Sequence, residues 1–164
     1  MIDHNLKIIF IHIPKTGGMS MENMLGANMK KLHKTPASYK HGYPFEDVYP
    51  RYWDKYYKFT FVRDPWARLV SAYFYDLRMC KGKKRSSLCA RRKIISKLGK
   101  NGFGNFVINH LDKFLSDKAF APQSKWLKGY DYDYIGRLEN FEEDSKKICD
   151  IIGLPFSPSF LNKS

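Results

Sequence analysis

The stretch Leu6-Lys7-Ile8-Ile9-Phe10-Ile11-His12-Ile13, followed by Pro14-Lys15-Thr16-Gly17-Gly18-Met19-Ser20, decides the fold. Its first half is rich in β-branched and aromatic residues and almost continuously apolar. That is the pattern of a strand buried on both faces of a parallel sheet. Pro14 ends it, Gly17-Gly18 makes a tight turn, and Ser20 to Leu25 begins a helix.

The same unit recurs. Tyr57 to Arg63 reads as a second strand, and Asp64-Pro65 supplies an N-cap with proline in the first helical position. Trp66, Leu69, Val70, Tyr73, Phe74 and Leu77 then fall at helical spacing. Gly104 to Asp117 has a helical pattern, Asp133 to Leu138 a third strand, and Phe141 to Ile152 an amphipathic helix stopped by Gly153 and Pro155. Strands alternating with helices predict an α/β fold: a three-layer, P-loop-like domain with a central parallel sheet flanked by helices. The 164 residues, 43% hydrophobic and 27% charged, suit one domain over 1–164 and exclude a disordered or collagen-like chain.

The formal net charge is +13, and it is unevenly spread. Ten basic residues and no acidic one lie between Leu77 and Leu111, from Arg78 to Lys100. This stretch interrupts the pattern like a basic insert or lid at about 80–100, partly helical after Ser87. Such a balance implies an anionic partner. Cys80 and Cys89 flank the insert, as free thiols or as a staple in an oxidising compartment. No metal-type Cys/His spacing occurs, and no apolar run approaches the ~20 residues that span a bilayer. The expectation is a soluble, cytoplasmic chain, or one from the Golgi lumen if it is a trimmed form of a membrane-anchored protein.

The Lys15–Ser20 loop carries chemistry. Glycines let backbone N–H groups approach an anion, the helix start adds a favourable dipole, and Lys15, Thr16 and Ser20 add a charge and hydroxyls. It is not a Walker A loop, in which the lysine follows the glycines. Arg63 stands at a strand's C-terminal end, where open α/β sheets bind ligands, and an arginine there suits bidentate contact with phosphate. Ser71, two turns into the next helix, adds a hydroxyl. The alternatives are an ordinary glycine turn with a surface lysine, and an arginine at a sheet edge.

Pro14-Lys15-Thr16-Gly17-Gly18-Met19-Ser20 together with Val62-Arg63-Asp64-Pro65 and Arg68-Leu69-Val70-Ser71 resembles the PAPS-dependent sulfotransferases. The similarity is to the carbohydrate, Golgi-type group that includes heparan-sulfate 2-O-sulfotransferase. His33-Lys34-Thr35-Pro36-Ala37, Ala121-Pro122-Gln123 and Ile135 to Phe141 resemble further family segments, in the family's order. The resemblance implies the cofactor 3′-phosphoadenosine 5′-phosphosulfate (PAPS), leaving as 3′-phosphoadenosine 5′-phosphate. It implies that Lys15, Thr16, Gly17, Gly18, Met19 and Ser20 hold the 5′-phosphosulfate, and that Arg63 and Ser71 hold the 3′-phosphate. Met19 departs from the family's threonine, and its position loses a hydroxyl.

Sulfuryl transfer to a hydroxyl needs a cation on the leaving oxygen and a base for the acceptor proton. Lys15 takes the first role. For the base His33 is chosen over His41, Glu46 and His12, because it best matches the family's histidine. His12 reads as a satisfied core histidine, and His110 as structural. Arg68 is expected to support the second loop or the cofactor, Gln123 to contact acceptor or cofactor or to be a plain loop amide, and Glu139 to be structural. Trp53, Trp66 and Trp126 are expected in the core or the pocket wall. The acceptor is expected to be a carbohydrate hydroxyl, on a glycan that is anionic if the basic stretch attracts it. A nucleic-acid or polyanion-binding module using residues 78–100 is the alternative. No nucleic acid is expected, because that stretch lacks the interleaved aromatics of single-strand binders. A phosphoryl-transfer kinase is disfavoured by the loop order. A catalytically inactive PAPS-binding relative is the remaining alternative.

Overall fold

The computed structural model describes residues 1–26, 52–84 and 87–157. By its contacts the chain forms two compact units, one of residues 1–64 and 123–164, the other of residues 65–122.

The first unit holds the sheet. β1 (Ile2–Asp3), β2 (Ile8–Ile11), β3 (Tyr57–Val62) and β4 (Tyr134–Arg137) lie in that order. β2, β3 and β4 run parallel, with Ile11 opposite Thr60 and Val62 opposite Arg137. This is the expected α/β architecture, with one addition. β1 pairs antiparallel with β2, Ile2 facing Ile9. A two-residue strand has too few positions to show alternation, so the sequence pattern missed it.

α1 (Gly18–Gly26) and α6 (Phe141–Ile152) belong to the same unit. Ile8, Phe10, Phe59 and Phe61 share one face of the sheet, since side chains alternate along a strand. Met21, Met24 and Leu25 of α1 and Phe141, Ile148 and Cys149 of α6 pack onto that face as one buried cluster. Each such large side chain contributes roughly 1.5–3 kcal/mol by leaving water. Thr60, fully buried, satisfies its hydroxyl on the Ile11 carbonyl at 2.7 Å. α5 (Ser124–Leu127) carries the buried Trp126, and Trp53 is buried as well.

The second unit is helical: α2 (Pro65–Cys80), α3 (Ala90–Leu98) and α4 (Phe103–Asn109). Ala72, Tyr73, Ile95, Phe106 and Phe120 form its core. The helix expected over 104–117 breaks at His110, and a short 3-10 turn, Leu111–Phe114, follows. Packing explains the break. Phe106 and Phe114 stack with ring centres 6.1 Å apart. Eight residues of unbroken helix would separate them by about 12 Å along the axis.

α3 lies in the basic stretch, as expected of the segment after Ser87, and its two faces differ. Lys93 and Lys97 are exposed, while Ile95 is fully buried. Arg91 and Arg92 both direct Nε to the carboxylate of Asp76, Arg92 at 3.0 Å. Asp76 is only 1% exposed, and Arg91 also pairs with Asp117 and lies over the Phe120 ring. Two of the ten charges are thus internal ties between α2 and α3. Cys80 is a buried free thiol that donates to the Asp76 carbonyl at 3.0 Å; burial pushes its pKa up. Cys89 is an exposed free thiol. Trp66 lies outside the core: it stands 69% exposed on the first turn of α2.

Candidate functional site

β2 delivers the chain through buried His12, Ile13 and Pro14 into the loop. Lys15 adopts φ +72°, a left-handed conformation that a side-chain-bearing residue takes at a cost of about 1–2 kcal/mol. Gly17 follows at φ +84°, where glycine is at ease. Left-handed residues on both sides of Thr16 curl the backbone so that successive N–H groups can converge on an anion. α1 begins at once, with Ser20 and Met21 N–H groups returning to the Gly17 carbonyl at 2.9 and 3.1 Å.

The loop residues differ in what they can offer. Lys15 is half-buried, Met19 is exposed and Ser20 is buried in the first turn of α1. Thr16 is fully buried, and its hydroxyl donates to the Ile13 carbonyl at 2.9 Å. Thr16 therefore offers an anion its backbone rather than its hydroxyl hydrogen. Gly18 has no room for a side chain, because a Cβ there would lie 2.1 Å from the His12 ring.

Arg63 follows β3 directly. β2 and β3 are parallel neighbours in register, so Arg63 and the Lys15 loop share the C-terminal edge of the sheet. The backbone of Arg63 is clamped at both polar groups: its N–H donates to Gln123 Oε1 at 2.9 Å, and its carbonyl accepts from Gln123 Nε2 at 2.7 Å. The Asp64 N–H donates to Glu139 Oε1 at 2.8 Å. Gln123 and Glu139 thus fix the turn that carries Arg63. For Gln123 the sequence offered only a contact residue or a loop amide; partners sixty residues away leave no local pattern. Ser71 lies half-buried in α2 and belongs to the second unit.

Arg68 is buried in the second unit, with Nη1 donating to the Ala121 carbonyl at 2.8 Å and Nη2 to the Lys118 carbonyl at 3.2 Å. Burial lowers its pKa to about 10. It holds backbone of its own unit. His12 is buried and paired with Glu22, as a satisfied core histidine should be. His110 is half-buried beside Phe106, within the helical core. The base candidates His33, His41 and Glu46 lie outside the described residues. Among the described residues no helix is long and apolar enough to cross a membrane.

The chain was compared with known proteins. Over 178 residues it is 25% identical to carbohydrate sulfotransferase 14 of Danio rerio, covering 94% of this chain and 48% of the relative. Over 139 residues it is 31% identical to carbohydrate sulfotransferase 12 of Mus musculus, covering 67% of this chain and 32% of the relative. An uncharacterized protein of Archaeoglobus fulgidus is 34% identical over 104 residues, 62% of this chain and 72% of its own. The chain therefore spans about half, or less, of the two carbohydrate sulfotransferases. No solved structure matches it significantly. The model of the Sulfotransferase family matches from residue 1 to residue 164, with the Lys15 loop and the Arg63 turn inside the match, and the chain belongs to that family.

Proposed function

We propose that the chain transfers a sulfuryl group from PAPS to a hydroxyl of a carbohydrate. The observation that carries this reading is the Lys15–Ser20 loop, with two left-handed residues and a helix start at the end of a buried strand. Its backbone curl and dipole suit a phosphosulfate, and the clamped Arg63 on the same sheet edge suits a second phosphate. Two separate cradles suit a cofactor with phosphate at two ends of an adenosine. The similarity to two carbohydrate sulfotransferases supports a carbohydrate acceptor.

The cofactor supplies an activated sulfuryl group when bound. The residues do the rest. Backbone N–H groups of Thr16, Gly17, Gly18 and Met19 and the Ser20 hydroxyl orient the 5′ end, and Lys15 Nζ balances charge on the leaving oxygen. Arg63 and Ser71 bind the 3′-phosphate, and His33 accepts the acceptor proton. The exposed lysines, Lys93 and Lys97 among them, favour an acceptor that is itself anionic.

The test is transfer of labelled sulfate from PAPS to a panel of neutral and anionic glycans at two salt concentrations. Transfer is expected, with anionic acceptors preferred and the preference weakened by salt. If neither PAPS nor adenosine 3′,5′-bisphosphate binds, the reading is wrong. If the bisphosphate binds and no hydroxyl acceptor is sulfated, the chain is an inactive cofactor-binding relative. Gln123→Ala is expected to weaken bisphosphate binding about tenfold, since Arg63 loses both backbone partners, each worth about 1 kcal/mol. Titration calorimetry reads this directly, and an unchanged affinity would remove Gln123 from the site.

A further inference from the structure

Side-chain contacts around the loop single out His12. It is 5% exposed, and its imidazole touches three residues on two elements at once. Nδ1 lies 2.7 Å from Oε1 of Glu22, four residues into α1 from Gly18. With the carboxylate as acceptor, Nδ1 carries the hydrogen. One ring face stacks on Phe10 of β2, centres 5.9 Å apart at 16°. The Cδ2–Nε2 edge abuts Gly18, so closely that a Cβ there would sit 2.1 Å from both atoms.

A buried imidazole–carboxylate pair is a poor way to gain stability, because desolvation offsets much of the attraction. It is a good way to fix an orientation. The Glu22 bond sets the plane of the ring, and the ring edge sets how far the first turn of α1 stands from the end of β2. That spacing aims the N–H groups of Gly18 and Met19. Aim matters because Met19 offers no hydroxyl, so its position meets an anion through backbone alone.

We propose that His12 and Glu22 are positioning residues for the anion loop, a wedge and its lock. They act through Gly18 on the cofactor's 5′ end and do not touch the reacting atoms. The proposal rests on the PAPS reading. The variants are His12→Phe, which keeps the ring and loses the bond; Glu22→Ala, which removes the lock; and Glu22→Gln, which keeps an acceptor. Each is measured for adenosine 3′,5′-bisphosphate affinity, for KM and kcat with PAPS, and for melting temperature.

Glu22→Ala and His12→Phe should weaken bisphosphate binding and raise the KM for PAPS by about tenfold or more, with kcat changed only a few-fold. Glu22→Gln should recover most of the loss, and the double variant should be no worse than either single one, as for residues acting as a unit. If folded Glu22→Ala binds as tightly as wild type, or if only melting temperatures fall, the pair is merely structural and the proposal is overturned. Should His12→Phe fail to fold, the Glu22 pair of variants decides the matter alone. A wild-type chain that binds no bisphosphate is a different outcome: it overturns the PAPS reading, and this proposal with it.

Discussion

Lys15→Ala is expected to reduce sulfuryl transfer on the order of a thousandfold, the typical loss when a donor to developing charge is removed from an organised site. The lysine follows β2 at a fixed point of the fold, and its left-handed φ of +72° helps set the direction in which its side chain leaves the backbone. Alanine suffers the same backbone strain, so the folded state should persist with little change in melting temperature. Lys15→Gly separates strain from chemistry. It should be as inactive as the alanine variant while relieving about 1–2 kcal/mol of left-handed strain, offset in part by glycine's greater unfolded freedom. A variant that loses activity without losing stability marks strain kept for function. Retention of more than a tenth of the rate in Lys15→Ala would dismiss the lysine from the chemistry.

The largest expected effect on stability lies in the other unit. Asp76→Ala strips the shared carboxylate from Arg91 and Arg92, and should destabilise by about 3–5 kcal/mol because two cations are left without their buried counter-charge. Asp76→Asn should lose less, since one oxygen still accepts. Replacing Asp76, Arg91 and Arg92 together by leucine or methionine should recover much of the loss, because buried ion clusters are often no better than packed apolar groups. Urea unfolding measures all three variants. A shift below about 1 kcal/mol for Asp76→Ala would mean that water reaches the cluster and screens it.

That pair of arginines shows where the sequence was opaque. Between Leu77 and Leu111 every charge is positive, which suggests a single solvated face or insert. The partners that neutralise Arg91 stand outside that window, Asp76 just before it and Asp117 beyond it. The clamp of Gln123 on Arg63 and the bond from Glu139 to Asp64 were hidden in the same way, because their spacings follow tertiary structure and no helical or strand period. By contrast β2, β3, β4, α1, α2 and α6 were legible to within a few residues. They carry their own periodicity, and proline or glycine marks their ends. The turn from β2 into α1 was also legible, since paired glycines after a proline mark a tight turn. The direction of the Thr16 hydroxyl was not, because a buried threonine can turn to its own backbone.

The interruption of the sheet-bearing unit by residues 65–122 has a temporal consequence. On the ribosome, β2 and β3 emerge long before β4, which must pair with β3 to complete the sheet. The helical unit between them is built from nearer neighbours, and local contacts form faster than distant ones. Synthesis from the N-terminus thus presents a closed helical unit while one flank of β3 is still bare. Until Tyr134–Arg137 arrives, that flank is an open strand edge, the kind of surface on which nascent chains stick to one another.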